Sequence, residues 1–490
     1  MSRPHMLIIG GGLAALSTGC YALANGWKVT ILEHNLALGG VCTAWTRGPY
    51  TIDGCIHWLT GGPFARIYEE LQIVPPVIIR PLREFVTVRD VRQGWSVTIG
   101  ADLAALGASL RQIAPDDGEA IDRMMEAAAM IPAIEPQIDP PPELQTIGDR
   151  LRGLWELRGE LGLILRYRSN VGAWTAANLK SEALRRVLTC ILPPEAPMLF
   201  LLMMLGYLAR GWLSRPIGGT SAFRDALVAR YEALGGEVRL DTTVDEVLVE
   251  GGRAVGVRVA DGAILRGELV VSTSSAPETV LRLLGGRYGV DALDSRLRRW
   301  KLFDPIVLAS WGVARPLDDA PPMLILEGVG PLELAGRPNE RIFVRTYNDE
   351  PAVAPAGHTV VQTMLPTDYE WWATRGSRYG DTKAQVAERA LAAIAAHLPG
   401  VAEDVRVTDV ATPLTFWRSA RAWRGSFEGW MPSDGDFMTH VPKTLPGLDG
   451  FYMAGQWVEP GGGVPAALMS GRQLVQILCA EARRPFVTAP

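Results

Sequence analysis

A cluster of small residues near the N-terminus has the spacing of a phosphate-binding turn. Gly10, Gly12 and Ala15 form a G-x-G-x-x-A pattern between an apolar run at 6–9 and a helical pattern at 13–25. In this pattern the first glycine permits a tight turn, the second lets the backbone approach a pyrophosphate, and the small third residue keeps helix and strand close. The N–H groups at the start of the helix attract the anion. The predicted dinucleotide contacts are Gly10, Gly11, Gly12, Ala14 and Ala15.

A carboxylate follows at the end of the next strand. Glu33 lies 21 residues after Gly12 and closes a β-branched run at 28–33. A carboxylate there accepts hydrogen bonds from the adenosine ribose hydroxyls and repels a 2′-phosphate, which disfavours NADP. Strand, glycine turn, helix, strand and acid in register indicate a βαβ unit rather than a chance glycine-rich turn. The pattern alone does not separate FAD from NAD.

The next residues resemble those of FAD-dependent oxidoreductases. Glu33 is followed by the pair Gly39-Gly40, as in the extended signature of two-domain flavoproteins. Gly54-Cys55-Ile56-His57-Trp58 then resembles the segment beside the isoalloxazine ring in the phytoene desaturase, carotenoid isomerase and retinol saturase-like family. The resemblance implies non-covalently bound FAD, with Gly39, Gly40, His57 and Trp58 among its contacts.

Three later segments carry the same resemblance. The segment 216–272 is similar to the family's second FAD-contacting region, which implies that the backbone of Val244 contacts the adenine. A strand at 451–457 leads through a glycine-rich turn into a predicted helix at 466–479, and a block at 412–430 resembles the segment before this strand. The resemblance assigns the ribityl chain and the pyrimidine edge to five residues: Gly455, Gln456, Gly462, Gly463 and Val464. Gln456 stands where many relatives have an acid, and its amide can still hydrogen-bond a ribityl hydroxyl.

These segments together predict an α/β fold of two domains. One is a Rossmann-like FAD-binding domain of the glutathione reductase type, built from residues 1–72, 215–290 and 443–490. The other is a discontinuous α+β substrate-binding domain, built from residues 73–214 and 291–442, with a helical lid at 101–214. A chain of 490 residues is long enough for both domains.

Composition excludes several other classes. A net charge of −5 argues against a general nucleic-acid binder, because such proteins need basic residues for the phosphates. The five cysteines contain no CxxC pair and the six histidines no HxxxH spacing, so neither a disulfide framework nor a metal site is expected. We find neither a signal-peptide pattern nor an apolar run of membrane-spanning length. We therefore expect a cytoplasmic protein with peripheral contact to the inner face of the membrane.

The most apolar segment leaves two alternatives open. Met198–Ala209 is apolar on all sides, and Arg210, Trp212 and Arg215 follow it. Such a helix lies either in a protein core or in lipid. It is thus either a core helix of the substrate domain or the peripheral membrane contact.

Three residues are candidates for catalysis, each with a structural alternative. His57 is either a proton relay or flavin-ring contact, or a core histidine bonded to backbone. Arg418 is either an electrostatic partner of reduced flavin or substrate, or a salt-bridged scaffold residue. Glu459 is either a catalytic base or an exposed, capping acid beside the glycine turn.

The leading functional hypothesis is an FAD-dependent oxidoreductase acting on CH–CH groups. It would desaturate, saturate or isomerise C–C double bonds of a long apolar, carotenoid- or isoprenoid-like substrate by hydride transfer at flavin N5. The first alternative is an amine oxidase or protoporphyrinogen oxidase-like enzyme, with an aromatic cage from Trp423, Trp430 and Trp457. The second is a non-catalytic, flavin-bearing lipid-binding protein. The sequence indicates no oligomeric state.

Overall fold

The computed structural model describes residues 3–130, 138–433, 439 and 441–488. Its strands are β1 (His5–Ile9), β2 (Lys28–Leu32), β3 (Ala44–Arg47), β4 (Tyr50–Asp53), β5 (Leu59–Thr60), β6 (Ile79–Pro81), β7 (Glu84–Asp90), β8 (Ser96–Gly100), β9 (Leu213–Pro216), β10 (Glu237–Arg239), β11 (Val244–Glu250), β12 (Arg253–Val259), β13 (Ile264–Arg266), β14 (Leu269–Ser272), β15 (Ile306–Val313), β16 (Met323–Leu334), β17 (Arg337–Thr346), β18 (Thr359–Pro366), β19 (Val405–Ala411), β20 (Thr444–Leu445) and β21 (Leu448–Met453).

The α-helices are α1 (Leu13–Ala24), α2 (Ala65–Glu70), α3 (Leu103–Ile113), α4 (Gly118–Met130), α5 (Ile147–Glu156), α6 (Leu161–Arg166), α7 (Val171–Asn178), α8 (Glu182–Ile191), α9 (Met198–Ala209), α10 (Gly219–Ala233), α11 (Val290–Arg299), α12 (Tyr369–Ala373), α13 (Tyr379–Ala395), α14 (Pro413–Ala420) and α15 (Gly463–Glu481).

The larger sheet has a parallel centre in the order β10-β2-β1-β14-β21. Its middle strand β1 is buried on both faces. Met6 and Ile8 pack in the core beside α1, α10 and α15, whereas Leu7 and Ile9 pack with β11 and β12. A parallel strand covered on both sides must be apolar throughout, which explains the short run at 6–9. The predicted Rossmann-like fold is confirmed.

The second sheet is mostly antiparallel, in the order β19-β15-β18-β17-β16-β7-β8. Helix α13 packs against it through Val386, Ala390 and Ile394. Helices α3, α4, α8 and α9 share a separate core with β7 and β8. This sheet and its helices form the wall that faces the larger sheet across a cavity.

The two sheets are built from different segments of the chain. Among the described residues, strands of the larger sheet lie within 1–72, 215–290 and 443–490, and those of the second sheet lie within 73–214 and 291–442. A three-stranded sheet, β5-β9-β6, joins the two groups. The domain boundaries themselves stay a prediction.

Helix α15 begins at Gly463, three residues earlier than the predicted start at 466. Pro465 lies in its first turn. Proline is tolerated there because the first N–H groups of a helix have no intrahelical partner. The glycine turn is therefore shorter than the sequence suggests, and Gly463 and Val464 belong to the helix.

Helix α9 is a core helix. Leu201 and Leu205 are 0% and 3% exposed, and α9 packs against α4. Of the two alternatives for this segment, the structure supports the core helix and not the membrane contact. The apolar side chains of α9 either pack against neighbouring helices or line the wall of the cavity. Within the described ranges, we find no helix with the length and apolarity that crossing a bilayer requires.

Candidate functional site

A cavity of about 1770 Å³ reaches from the glycine turns of the larger sheet to the second sheet and the helices on it. One end is lined by backbone of the predicted FAD-binding segments. The other is lined mainly by apolar side chains: Leu199, Met203, Met323, Ile325, Phe343 and Met364. A pocket for one small molecule has roughly 300–1,000 Å³. The cavity therefore has room for a dinucleotide and a second, apolar molecule.

Two helices begin at this cavity, and each has a glycine as its N-cap. Helix α1 follows Gly12 and helix α15 follows Gly462. Because glycine has no side chain to accept from the first N–H groups, those groups are left to a ligand. Gly10 has φ +91°, the left-handed conformation that the tight turn requires. These donors fit the pyrophosphate and the polar chain of FAD.

Glu33 lies on the cavity wall with its carboxylate already oriented. Oε2 accepts from the Gly11 amide at 2.6 Å, and Oε1 accepts from the Asn35 amide at 2.8 Å and lies 3.0 Å from His34 Nδ1. Burial raises the pKa of Glu33, but the hydrogen bonds outweigh it and hold the pKa below its ordinary value. Glu33 is thus an anion in position to accept ribose hydroxyls.

The C-terminal strand brings Gly455 and Gln456 to the same cavity. The Gly455 amide donates to Ser470 Oγ at 2.7 Å, which ties the end of β21 to α15. The side-chain amide of Gln456 donates through Nε2 to the Phe427 carbonyl at 2.6 Å. Gln456 therefore also anchors the loop at 421–433, a role that the sequence did not suggest.

His57 and Trp58 lie where the glycine-lined and apolar parts of the cavity meet. Each ring makes an edge-to-face contact with a phenylalanine, His57 with Phe343 and Trp58 with Phe85, both at 5.9 Å between centroids. His57 Nδ1 is buried and has no hydrogen-bond partner in the described part of the chain. Burial lowers the pKa of His57 to about 4, so the imidazole is neutral at pH 7.

Glu459 lies on the cavity wall, but it is ion-paired. Its Oε1 is 2.9 Å from Nζ of Lys443, whose side chain is completely buried and also lies 3.5 Å from Glu143. The ion pair fits the structural alternative for Glu459, an acid that holds the glycine turn in place. A catalytic role for Glu459 stays a prediction.

Three other predicted residues do not reach the cavity wall. The Arg418 side chain is exposed to solvent, and its carbonyl lies 3.1 Å from His34 Nε2. The electrostatic role predicted for Arg418 is therefore not supported. Ala15 is buried behind the turn, as close packing of helix and strand requires. Val244 is buried and its carbonyl accepts from Arg282 at 2.9 Å, so its predicted adenine contact stays a prediction.

The sequence did not identify Glu428 as a site residue. Its side chain lies on the cavity wall, and its carbonyl lies next to Gly462. Burial raises the pKa of Glu428 to about 7. Cys42 and Cys55 line the cavity nearby; their mutual hydrogen bond, together with burial, holds the pKa of Cys55 well above its usual range. The block at 412–430 marked this segment, but a sequence does not show which of its acids is buried.

The half-buried Glu428 predicts a pH dependence of stability that Glu428→Gln removes. The raised pKa means that the folded protein binds more protons than the unfolded chain from about pH 4.5 to 7, so this stabilisation is lost as pH rises through that window. At pH 8 we expect the variant to be more stable than the native chain, by at most about 3 kcal/mol. At pH 4 the two should be equally stable.

Urea unfolding at several pH values measures this difference. The neutral His57 gives the opposite slope, because its lowered pKa costs stability as pH falls from 6.5 to about 4. That slope is present in both proteins and cancels in the comparison. Glu340→Gln, at an exposed site, is the control. A constant difference between variant and native chain at all pH values would contradict the burial of Glu428.

The proposed aromatic cage is not formed. Trp430 is fully buried against Trp300 and Trp457, with ring centroids 5.5 and 5.0 Å away. Trp423 packs on Trp417 instead. Of the three predicted tryptophans, only Trp457 belongs to the cavity wall. Trp430 and Trp457 form an edge-to-face pair beside the glycine turn.

Comparison with known proteins agrees with this site. The sequence profile of the flavin containing amine oxidoreductase family matches residues 194–479, and that of an NAD(P)-binding Rossmann-like domain matches residues 8–71. The first match spans more than half of the chain. The chain therefore belongs to the flavin-containing amine oxidoreductase family, and it is an FAD-dependent oxidoreductase.

The chain is also similar in sequence to individual proteins. A phytoene desaturase (neurosporene-forming) of Rhodobacter capsulatus is 26% identical, over 96% of this chain and 93% of its own length. A prolycopene isomerase of Arabidopsis thaliana is 24% identical over 59% of this chain and 48% of its own length.

Solved structures show the same fold. An oxidoreductase from Methanosarcina mazei has a TM-score of 0.62 at 18% identity, covering 96% of this chain and 100% of its own. Cyclohexylamine oxidase from Brevibacterium oxydans has a TM-score of 0.57 at 14% identity, covering 98% of this chain and 100% of its own.

Proposed function

We infer that this chain desaturates, saturates or isomerises C–C double bonds of a long apolar substrate of the carotenoid or isoprenoid class. The single observation that carries this proposal is the apolar extension of the cavity beyond the glycine turns. The relatives named phytoene desaturase and prolycopene isomerase support it. When bound, FAD supplies hydride chemistry at its N5.

In this proposal the chain binds the cofactor through the predicted residues on the cavity wall. Glu33 accepts the ribose hydroxyls, and the N-termini of α1 and α15 take the phosphates and the ribityl region. The remaining contacts come from Gly39, Gly40, His57, Trp58, Gly455, Gln456 and Val464. No covalent attachment is required, because these contacts span the whole cavity end.

The apolar wall orients the substrate and excludes water. Met203 and Met204 on α9 provide flexible surfaces that adapt to an irregular chain. Phe343 and Met364 line the opposite side from the second sheet. Such a wall needs no charged group to bind a hydrocarbon, and water exclusion protects reactive species.

We further propose Glu428 as the group that holds a proton at this site. Its carboxyl is largely protonated below pH 7, and its side chain lies on the cavity wall. Saturation of a double bond needs a proton as well as a hydride, whereas desaturation releases a proton. The neutral imidazole of His57 is the second candidate for moving that proton.

Anaerobic reaction of the FAD-loaded protein with two substrate classes, polyenes and primary amines, tests the proposal. Desaturation of a polyene such as phytoene, delivered in detergent micelles, would bleach the absorbance of oxidised flavin, and saturation would restore the absorbance of flavin reduced beforehand. Isomerisation would change the polyene spectrum without a net change of the flavin. We expect one of these three results with polyenes and no change with primary amines. Bleaching by amines alone would support the amine oxidase alternative, which the family match favours. No change of the flavin, oxidised or reduced, and no change of the polyene, with lipids co-purifying, would support a non-catalytic lipid-binding protein.

The substitution Met203→Trp should separate substrate binding from cofactor binding. The larger side chain fills the apolar part of the cavity, so we expect a KM for the polyene raised about tenfold or more and an unchanged FAD content. Met125→Trp, on the neighbouring helix α4 outside the cavity wall, is the matched control. Equal effects of both substitutions on KM would contradict the assignment of this wall to substrate.

A further inference from the structure

The outer side of helices α5 and α6 carries an unusual concentration of exposed apolar side chains. Ile147, Leu151 and Trp155 are 80%, 61% and 64% exposed, and Leu161 and Leu165 are 47% and 63% exposed. We call these five residues the α5–α6 face. The spacing of four residues within each helix places them on one side. A helix normally turns such a stripe inward to a core.

The same segment also forms part of the cavity wall. Its inner side contributes both polar and apolar residues to that wall: Asp149, Arg150, Glu156, Leu157, Glu160 and Ile164. The large apolar side chains of the α5–α6 face, in contrast, are exposed on the outer side. Exposure of these apolar side chains to water is unfavourable. An apolar partner that covers the α5–α6 face would remove this unfavourable contact with water.

Positive charge surrounds the α5–α6 face. The segment 147–168 contains five exposed arginines and three acids, Asp149, Glu156 and Glu160. The three acids and one of the arginines, Arg150, line the cavity. The arginines are Arg150, Arg152, Arg158, Arg166 and Arg168. The Arg158 guanidinium lies 3.5 Å from the centroid of the Trp155 ring. The whole chain has a net charge of −5, so this basic surface is a local feature.

We propose that the α5–α6 face is the surface by which this protein binds an anionic lipid bilayer. Apolar side chains would enter the acyl region and arginines would meet the phosphates, as in interfacial helices. The purpose of this membrane contact rests on the proposed function. An apolar substrate resides in the bilayer, and the segment that carries the α5–α6 face also forms part of the cavity wall. The membrane contact is thus assigned to this exposed face rather than to the buried helix α9.

A second copy of the chain fits this face less well. A two-fold contact brings the same surface of both copies together. The four arginines outside the cavity wall would then meet the same four arginines of the other copy, whereas the acids of the segment line the cavity. Anionic headgroups instead neutralise these charges.

Vesicle co-sedimentation of the full, FAD-loaded chain tests the proposal. The vesicles are phosphatidylcholine alone or phosphatidylcholine mixed with phosphatidylglycerol. We expect sedimentation with the mixed vesicles, and a loss of about tenfold or more in partitioning for Leu151→Ser with Trp155→Ser. The matched control is Ile264→Ser with Leu281→Ser, at exposed apolar positions elsewhere. Equal partitioning of both double variants would overturn the proposal.

Three further measurements keep the result unambiguous. On the native chain, amide hydrogen exchange of 147–166 should slow with mixed vesicles; unchanged exchange would overturn the proposal even if the variant misfolds. Light scattering that shows a dimer lost in the double variant, without any vesicle binding by the native chain, would assign the face to a second copy instead. Turnover of a polyene in detergent micelles should be the same in variant and native chain. Vesicle binding without any polyene turnover would refute the proposed function and leave this inference standing.

Discussion

Gly12→Ala is expected to lose FAD while the protein keeps its fold. The new methyl group would meet only Gly40 Cα at 3.9 Å and the Gly39 carbonyl at 4.0 Å, which are ordinary van der Waals distances. Gly12 has φ −76°, which alanine adopts readily. The methyl group would therefore strain nothing in the protein and would occupy the space that a pyrophosphate needs at the start of α1.

The expected effect is large because the pyrophosphate would be pushed away from several N–H donors. A hydrogen bond to a charged group contributes roughly 1.5–3 kcal/mol, so losing two weakens FAD binding by about 10²- to 10⁴-fold. Titration of FAD by flavin fluorescence measures the change, and circular dichroism checks the fold. Gly118→Ala, with no neighbouring atom within 4 Å, is the matched control. Full FAD occupancy in Gly12→Ala would show that the phosphates bind elsewhere.

Lys443→Met is expected to destabilise the protein by about 3–5 kcal/mol, because it leaves buried carboxylates without their cation. Lys443 holds both Glu459 beside the glycine turn and Glu143 before α5. Its ammonium group thus links the larger sheet to the predicted lid. Urea unfolding of the FAD-saturated protein gives the free energy of unfolding.

Two further variants test whether the loss of stability in Lys443→Met comes from the broken ion pairs. Lys301→Met removes an exposed lysine paired with Glu195 at 2.7 Å and should cost less than about 1 kcal/mol. Adding Glu459→Gln to Lys443→Met should recover part of the loss, since one unpaired charge disappears. If both lysine variants lose the same stability, the burial of the Lys443 pair has no energetic consequence.

The local part of the site could be predicted, and the reason is geometric. The G-x-G-x-x-A turn, helix α1 and Glu33 lie within one βαβ unit, in which each residue's place follows from its neighbours. The spacing of residues along α14 also explains why Arg418 points outward. On α14, Phe416 and Ala420 are four residues apart and both line the cavity, so a residue midway between them faces away.

The long-range part could not be predicted. Glu459 pairs with a lysine close in sequence, but the third member, Glu143, is 300 residues from Lys443. Helix α9 is apolar on every side, so no periodicity shows which surface is covered. The burial of Glu428 likewise depends on the tertiary packing of its loop against the glycine turn. Only the folded chain settles these three positions.

The pairing order of the larger sheet has a consequence for how the chain is made. Strand β1 pairs with β14, and β14 pairs with β21, while α1 packs on α15 through a Ser17 hydroxyl that donates to the Leu468 carbonyl at 2.7 Å. The N-terminus of α15, which we propose as one of the two phosphate-binding helix ends, is therefore absent until this last element has been synthesised. Contacts across so many residues form slowly, and apolar edges such as β14 stay exposed meanwhile. We therefore expect FAD to bind only after α15 has been synthesised, and the unfinished sheet to need protection from aggregation until then.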